Sequence, residues 1–158
     1  MENCFYSRPP IKALTTLLVS PSERDQTALI RLFAQSNWNL YSSFTTDEAL
    51  VVLRREVVPV VICDRDLALD SWRSFVQQAN ALCPAPRMIL ASREVGQPLW
   101  ADVLQVGAYD LLMMPWDVRQ VRKVIPLAWR SWEFANRVDG PELESDLASL
   151  RSASAGGE

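Results

Sequence analysis

The sequence predicts an α/β fold in which a central five-stranded parallel sheet carries helices on both faces. Short apolar segments alternate five times with amphipathic segments of helical spacing. The apolar segments are apolar at nearly every position, which is typical of strands that helices bury on both faces. The chain has 158 residues, of which 49% are hydrophobic and 22% are charged. These values predict one globular domain with a single core.

The first strand and helix are predicted from the segments "ALTTLLVS" and "SPSE". A β-branched, apolar run over 13–20 indicates the strand. We expect Ser20 to cap the following helix, because Pro21 suits the first helical position and Glu23 completes a capping box. Apolar residues at helical spacing continue the helix to about residue 36.

The second and third strands flank a helix with a clear start signal. The segment "NLYSS" over 39–43 predicts a weaker strand. A threonine cap and acidic residues in the first turn predict a helix over 45–56. The run "VPVVIC" over 58–63 predicts the third strand.

The next elements are separated by proline and glycine. Aromatic and small residues predict a third helix near 71–82, which ends before Pro84. A fourth strand is expected over 87–92. A fourth helix is expected near 97–106, ending at Gly107.

The last strand and helix are predicted from the segment that contains Pro115. The run over 108–114 indicates a strand that this proline ends. A fifth helix should begin near Trp116 or Asp117. Its apolar spacing continues across Pro126, so we expect one kinked helix rather than two.

Composition divides the chain into three parts. We expect an N-terminal extension over 1–12, the α/β domain over 13–136 and a flexible acidic, Ser- and Gly-rich tail over 137–158. Within the tail, one or two helical turns are expected around 141–151.

Charge and composition exclude several classes of function. The net charge is −3, so no bulk field attracts nucleic acid or an anionic membrane. The chain lacks histidine, which excludes histidine-dependent metal sites and Ser-His-Asp catalysis. Three cysteines without a CxxC pair argue against a zinc site or a disulfide framework. Without a signal peptide or a spanning segment, a cytoplasmic location is expected.

Functional residues are expected where the strands end, because ligands of open α/β sheets bind at the carboxyl ends of the strands. Four side chains fall there, each directly after or at the end of a predicted strand. They are Ser20, Asp64, Ser92 and Met114. Asp64 directly follows a predicted buried strand, and its carboxylate is the candidate that could take part in a reaction.

Two segments carry a resemblance to a known family. "PVVICD" over 59–64 resembles the third strand and phosphoacceptor aspartate of bacterial response-regulator receiver domains. "GAYDLLMMP" over 107–115 resembles their Gly-Ala-x-x-Tyr-x-x-Lys-Pro segment. The resemblance covers about 13–136 and implies a flavodoxin-like (βα)5 doubly wound sandwich.

The resemblance implies a phosphorylation site that has lost part of its chemistry. Asp64 takes the phosphoacceptor position, but Ser20 and Pro21 stand where a magnesium-binding acidic pair is expected. Met114 takes the lysine position, and a thioether is only a weak acceptor. The hydroxyl position falls on either Ala91 or Ser92.

Three further positions follow from the resemblance. Leu111 takes the aromatic switch position, with Tyr109 two residues earlier. Asp66 could join Asp64 in a weak cation site. No cofactor is expected, because magnesium would lack its usual acidic pair.

In receivers, the face formed by the fourth helix, fifth strand and fifth helix commonly docks partners or a second copy, and here it carries several aromatic residues. Aromatic side chains are enriched at interfaces, so Trp100, Tyr109 and Trp116 are interface candidates. Trp129 and Trp132 of the fifth helix have two interpretations: they contact a partner at the same face, or they simply pack on the sheet.

The leading hypothesis is a divergent, single-domain receiver without enzymatic activity in phosphorelay signal transduction. It would bind a protein without depending on phosphorylation: a histidine kinase, another regulator, or a second copy through the face of the fourth helix, fifth strand and fifth helix. The alternative is a working phosphoacceptor with an atypical magnesium site at Asp64, Asp66 and Glu23. A purely structural role is also open, in which Asp64 caps its loop through the amides of Asp66 and Asp70. A nucleotide-binding enzyme is disfavoured, because the loops lack a Gly-rich phosphate cradle.

Overall fold

The computed structural model describes residues 14–67, 71–94 and 97–136, with only the backbone described for 97–99. Strands and helices alternate along this part of the chain. The strands are β1 (Thr15–Val19), β2 (Asn39–Ser43), β3 (Val60–Asp64), β4 (Arg87–Ser92) and β5 (Asp110–Met113). The helices are α1 (Glu23–Phe33), α2 (Thr46–Arg55), α3 (Ser71–Asn80), α4 (Gln97–Val106) and α5 (Val118–Ala135).

The five strands form one parallel sheet in the order β2-β1-β3-β4-β5. The predicted fold class is therefore confirmed. The chain reverses direction across the sheet after β2, so the switch point lies between β1 and β3, where ligands of such sheets bind. This is the position that Asp64 takes.

Two layers of apolar side chains cover the two faces of the sheet. On one face, buried residues of α2, α3 and α4 pack on the sheet around Trp72, Phe75 and Val103. On the other face, α1 and α5 pack around Leu29, Phe33 and Ile125. The strands contribute alternate residues to the two layers, which explains their continuous apolar character.

The start of α1 differs from the prediction. Its N-cap is Ser22, whose hydroxyl accepts a hydrogen bond from the Asp25 amide at 3.2 Å. Ser20 was predicted as the cap, and this was wrong because its buried side chain is directed to Asp64 instead. The helix also ends at Phe33, earlier than the predicted residue 36.

The cap of α2 agrees with the prediction. The Thr45 hydroxyl accepts from the Glu48 amide at 3.2 Å. The Glu48 carboxylate in turn accepts from the Phe44 amide at 3.1 Å, which completes a reciprocal capping arrangement. Thr45 therefore fixes where the chain leaves β2 and enters α2.

The fifth helix is continuous from Val118 to Ala135 with Pro126 inside it. The prediction of one helix rather than two is confirmed. Apolar residues on both sides of the proline, including Val121 and Ala128, are fully buried against the sheet. This packing outweighs the backbone hydrogen bond that the proline removes.

The remaining expectations concern cysteines, membranes and the chain ends. Cys63 is free and buried, whereas Cys83 is disulfide-bonded. The spacing of cysteines in a sequence does not disclose such pairing. Among the described residues, no helix has the length and apolar character needed to span a bilayer. The predicted N-terminal extension and acidic tail lie outside the described residues.

Candidate functional site

Asp64 lies at the carboxyl edge of the sheet, where the ends of the central strands meet. It is the last residue of β3 and is paired with Ala91 of β4. Ser20 directly follows β1, and Ser92 ends β4 next to Met113 of β5. The structure thus brings the predicted strand-end residues to one edge.

Both carboxylate oxygens of Asp64 accept hydrogen bonds from the protein. The Ser20 hydroxyl donates to Oδ2 at 2.9 Å, and the Asp66 amide donates to Oδ1 at 2.8 Å. Asp64 itself is only 2% exposed. The contact with Asp66 is the one expected of a loop-capping carboxylate, and Asp70 lies outside the described residues.

Burial raises the pKa of Asp64 above its ordinary value, because desolvation disfavours the charged carboxylate. Hydrogen bonds from the Asp66 amide and the Ser20 hydroxyl lower the pKa and offset part of this effect. The negative charges of Asp66 and Asp25 raise it further. The charged form of Asp64 therefore lowers the stability of the folded state.

This cost leads to a prediction for Asp64→Asn. The folded pKa lies above the unfolded value of 3.8, so the penalty is fully present above the folded pKa and disappears as the pH falls towards 3.8. We expect Asp64→Asn to be more stable than the wild type at pH 7, with a difference that shrinks on acidification. Urea unfolding of both proteins, in steps of about half a pH unit between pH 4 and pH 7, measures this difference in stability. An Asn variant that is less stable at pH 7 would contradict the assigned penalty.

Asp25 is a member of the site that the sequence did not predict. It lies in the first turn of α1, where an acidic residue is readily interpreted as a partner of the helix dipole. The structure buries it on the same helical stripe as Leu29 and Phe33, four and eight residues later. This spacing in the sequence could have indicated that Asp25 is buried, since it places Asp25 on the face of α1 directed to the sheet.

Arg93 supplies the positive charge of the site. Its guanidinium pairs with the Asp25 carboxylate at 2.5 Å and contacts the Met114 sulfur at 3.4 Å. The hydrogen bond to Asp25 raises the pKa of Arg93, and the charges of Asp25, Asp64 and Asp66 add to the effect. Arg93 is thus paired with Asp25, and its charge interacts with those of Asp64 and Asp66.

Further hydrogen bonds join the loops around this ion pair. The Trp116 indole N–H donates to the Asp25 carbonyl at 2.8 Å, which connects the loop after β5 to α1. The Gln26 side chain donates to the carbonyls of Ser20 and Ser43, at 2.9 Å and 2.8 Å. These contacts hold the loops after β1, β2 and β5 on α1.

Ser92 is buried, and its hydroxyl accepts from the Glu94 amide at 3.0 Å. This is the local backbone contact expected of a loop hydroxyl. The neighbouring Ala91 has no hydroxyl, and its carbonyl accepts from the Arg65 amide at 2.9 Å. The assignment of the family's hydroxyl position to either residue stays a prediction.

A second ionic cluster, outside the predicted site, fixes α4. Asp102 of α4 is buried and lies 2.6 Å from both Arg65, after β3, and Arg73 of α3. The contact with Arg73 is a hydrogen-bonded ion pair, whereas that with Arg65 is an ion pair without hydrogen-bond alignment. Arg65 also pairs with the exposed Glu94 at 3.3 Å.

Magnesium prefers octahedral oxygen coordination, and Asp64 and Asp66 are the two ligands that the sequence offered for it. Both oxygens of Asp64 are already hydrogen-bonded, and Asp66 is exposed. Across 14–67, 71–94 and 97–136 there is no group of three or more acidic, cysteine or histidine side chains able to hold a metal. The positive charge that interacts with Asp64 and Asp66 is that of Arg93, which is paired with Asp25.

The predicted switch and interface residues differ in exposure. Leu111 and Met114 are buried, whereas Tyr109 is 40% and Trp100 is 52% exposed. Trp116 is half-buried and hydrogen-bonded to α1, so it is part of the loop structure as well as an interface candidate.

The sequence did not predict an exposed leucine on α4. Leu104 lies four residues after Trp100 on α4 and is 80% exposed. The side of α4 that carries Asp102 and Gln105 faces α3, because both contact Arg73. Trp100 and Leu104 lie on the side of α4 turned away from these contacts, and we call these two residues the α4 patch. Trp129 and Trp132, in contrast, pack against the domain.

Comparisons with known proteins agree with this geometry. The chain is similar to the hydrogenase transcriptional regulatory protein HoxA of Bradyrhizobium diazoefficiens, with 29% identity over 112 residues. HoxA of Cupriavidus necator is 26% identical over 106 residues. These matches cover 70% and 66% of this chain but only 23% and 22% of the two regulators. No family model matches the chain.

Solved structures with the same fold include the signal receiver domain of an HD domain-containing protein from Pseudomonas fluorescens. Its TM-score is 0.70 with 21% identity, covering 77% of this chain and 98% of that chain. A CheY-like response regulator receiver domain protein from Methanospirillum hungatei gives a TM-score of 0.69 with 16% identity, covering 77% and 98% of the two chains. The predicted resemblance to receiver domains is confirmed, and the chain has the receiver fold.

Proposed function

We propose that this chain is a signalling receiver that binds a protein partner without using phosphorylation of Asp64. The observation that carries the proposal is the state of the Asp64 carboxylate. Its two oxygens accept hydrogen bonds from Ser20 and Asp66, at 2.9 Å and 2.8 Å, and Asp64 is only 2% exposed. A carboxylate that accepts a phosphoryl group must expose an oxygen to the donor, and this low exposure disfavours such an approach.

The charges around Asp64 support the same proposal. Phosphoryl transfer requires positive charge that is free to bind the incoming phosphoryl oxygens. Arg93 is committed to Asp25, and Met114 offers no charge at the lysine position. The buried and exposed carboxylates nearby would repel an anionic donor.

The face formed by α4, β5 and α5 is the proposed docking surface. The α4 patch exposes a tryptophan and a leucine one helical turn apart, and Tyr109 is exposed before β5. Exposed aromatic residues are typical anchors of protein interfaces. The partner would be a histidine kinase, another regulator or a second copy of this chain.

The loss of metal chemistry is tested by a magnesium titration followed through tryptophan fluorescence. Trp116 reports on the site, because its indole is hydrogen-bonded to Asp25. We expect the wild type and Asp64→Asn to give the same flat curve at millimolar magnesium. A saturable change in the wild type that Asp64→Asn abolishes would favour a working phosphoacceptor instead.

The docking surface is tested by sedimentation velocity over a range of protein concentrations. If the partner is a second copy, the sedimentation coefficient should rise with concentration in the wild type and stay monomeric in Leu104→Glu. Val51→Glu serves as a matched control, because Val51 is also exposed but lies on α2. Equal sedimentation of wild type and Leu104→Glu would exclude the α4 patch as a contact between two copies of this chain.

A further inference from the structure

The outer surface of α5 carries an exposed stripe that combines apolar and basic residues. Lys123, Leu127, Arg130 and Phe134 are all exposed, and we call them the α5 stripe. They are spaced by four, three and four residues, so they lie on one side of the helix. Leu127 is 47% and Phe134 is 44% exposed. Such a stripe is the surface that a second helix would cover.

Contacts of neighbouring α5 residues show where the stripe lies. Gln120 accepts a hydrogen bond from the Met113 amide of β5, and the Ser131 hydroxyl accepts from Arg87 of β4. Leu127 comes seven residues after Gln120 and four before Ser131, so it lies on the same side of α5 as both. The α5 stripe therefore borders the β5 edge of the sheet.

The chain that follows α5 has the complementary pattern. In "DGPELESDLASL", over 139–150, Leu143, Leu147 and Leu150 are spaced by four and three residues. Acidic residues stand between these leucines and next to them. They are Glu142, Glu144 and Asp146. The pair Gly140-Pro141 combines a residue that ends helices with one that suits the first position of a new helix.

We propose that the segment 141–151 forms a helix that packs antiparallel on the α5 stripe of the same chain. The connection over 137–140 would be four residues long, which is within the range of short turns between antiparallel helices. The three leucines would cover Leu127 and Phe134. Acidic residues of the segment would then lie near Lys123 and Arg130, which gives charge complementarity with little dependence on any single pair.

This docking rests on the proposed function and deepens it, because the α5 stripe is the α5 part of the proposed docking surface. The segment would cover this part while Trp100 and Leu104 stay exposed. A partner that also needed the α5 side would have to displace the segment. The segment would then select among partners by competition.

Amide hydrogen exchange of the full chain tests the proposal. We expect amides of 141–151 to exchange on the order of tenfold more slowly than in an unstructured peptide, as for a locally stable helix. Leu127→Asp should remove this protection. Since Leu127 is a surface residue, the variant should keep the protection of the sheet. Leu104→Asp is the matched control and should leave the segment protected.

Three results would overturn the proposal. The first is a segment that exchanges at unstructured rates in the wild type. The second is protection that Leu127→Asp leaves unchanged. The third is protection that rises with protein concentration together with the sedimentation coefficient, because the segment then docks on a second copy. None of these results depends on Asp64, so they separate this proposal from the proposed function.

Discussion

Arg93→Ala should lower the free energy of unfolding by about 2 kcal/mol, because it leaves the Asp25 carboxylate without its partner. The side chain of Asp25 is only 7% exposed and lies close enough to Asp64 to raise that residue's pKa. The expected loss is below that of a fully buried pair, since the Arg93 side chain is 45% exposed. Urea unfolding followed by tryptophan fluorescence measures it.

A double variant separates the ion pair from other contacts of Arg93. Asp25→Asn removes the unpaired charge, so Arg93→Ala should cost less in that background than in the wild type. Arg93→Lys keeps a positive charge and should retain part of the stability. Equal losses in both backgrounds would mean that Asp25 and Arg93 are not coupled and that Arg93 is not the cation of the site.

Asp102→Ala should lower the free energy of unfolding by about 3 kcal/mol, because it leaves two arginines without their shared partner. The side chains of Arg65 and Arg73 are 21% and 36% exposed, so water can compensate only in part. The variant also frees the side of α4 that faces α3. Urea unfolding gives the loss, and hydrogen exchange should show it first in α4.

Glu94→Ala is the matched control for this cluster. Glu94 pairs with the same Arg65, but its side chain is 79% exposed. An exposed pair contributes between about 0 and 1 kcal/mol, so Glu94→Ala should be nearly neutral. A loss of stability as large as that of Asp102→Ala would show that the exposed Glu94 and the buried Asp102 contribute equally, which would contradict the importance of burial.

The two ionic clusters have a common consequence for the fold. Arg93 joins the loop after β4 to α1 and to Met114 after β5, and Asp102 joins α4 to α3 and to the loop after β3. Loops at the carboxyl edge are therefore fixed by charges that the chain itself supplies. Such a domain can present a constant surface on α4 without a bound cation.

The elements of the fold could be predicted because their signals are local. Continuous apolar runs such as 60–64 and the cap at Thr45 depend on residues close in sequence. Ser20 shows where this reasoning fails. Ser20 and Ser22 both precede α1, and a contact with Asp64, 44 residues away, decides which of them caps the helix. Local capping chemistry carries no information about that contact.

The position of Asp64 could also be predicted, but its charged neighbours could not. Family motifs mark Asp64 and Met114, since each lies in a quoted segment. Asp25 and Arg93 are 68 residues apart, and neither lies in the two segments that carry the family resemblance. Their pairing depends on how α1 and the loop after β4 pack at one edge, which only the tertiary structure determines. Arg65 and Asp102 were missed for the same reason.

The most direct measurement is the intact mass of the protein after treatment with a small-molecule phosphodonor in millimolar magnesium. The wild type and Asp64→Asn are treated in parallel. If Ser20, Asp66 and Arg93 have closed the site as proposed, neither protein gains mass, and their spectra remain the same. A gain of one phosphoryl group in the wild type alone would contradict this and make Asp64 a working phosphoacceptor.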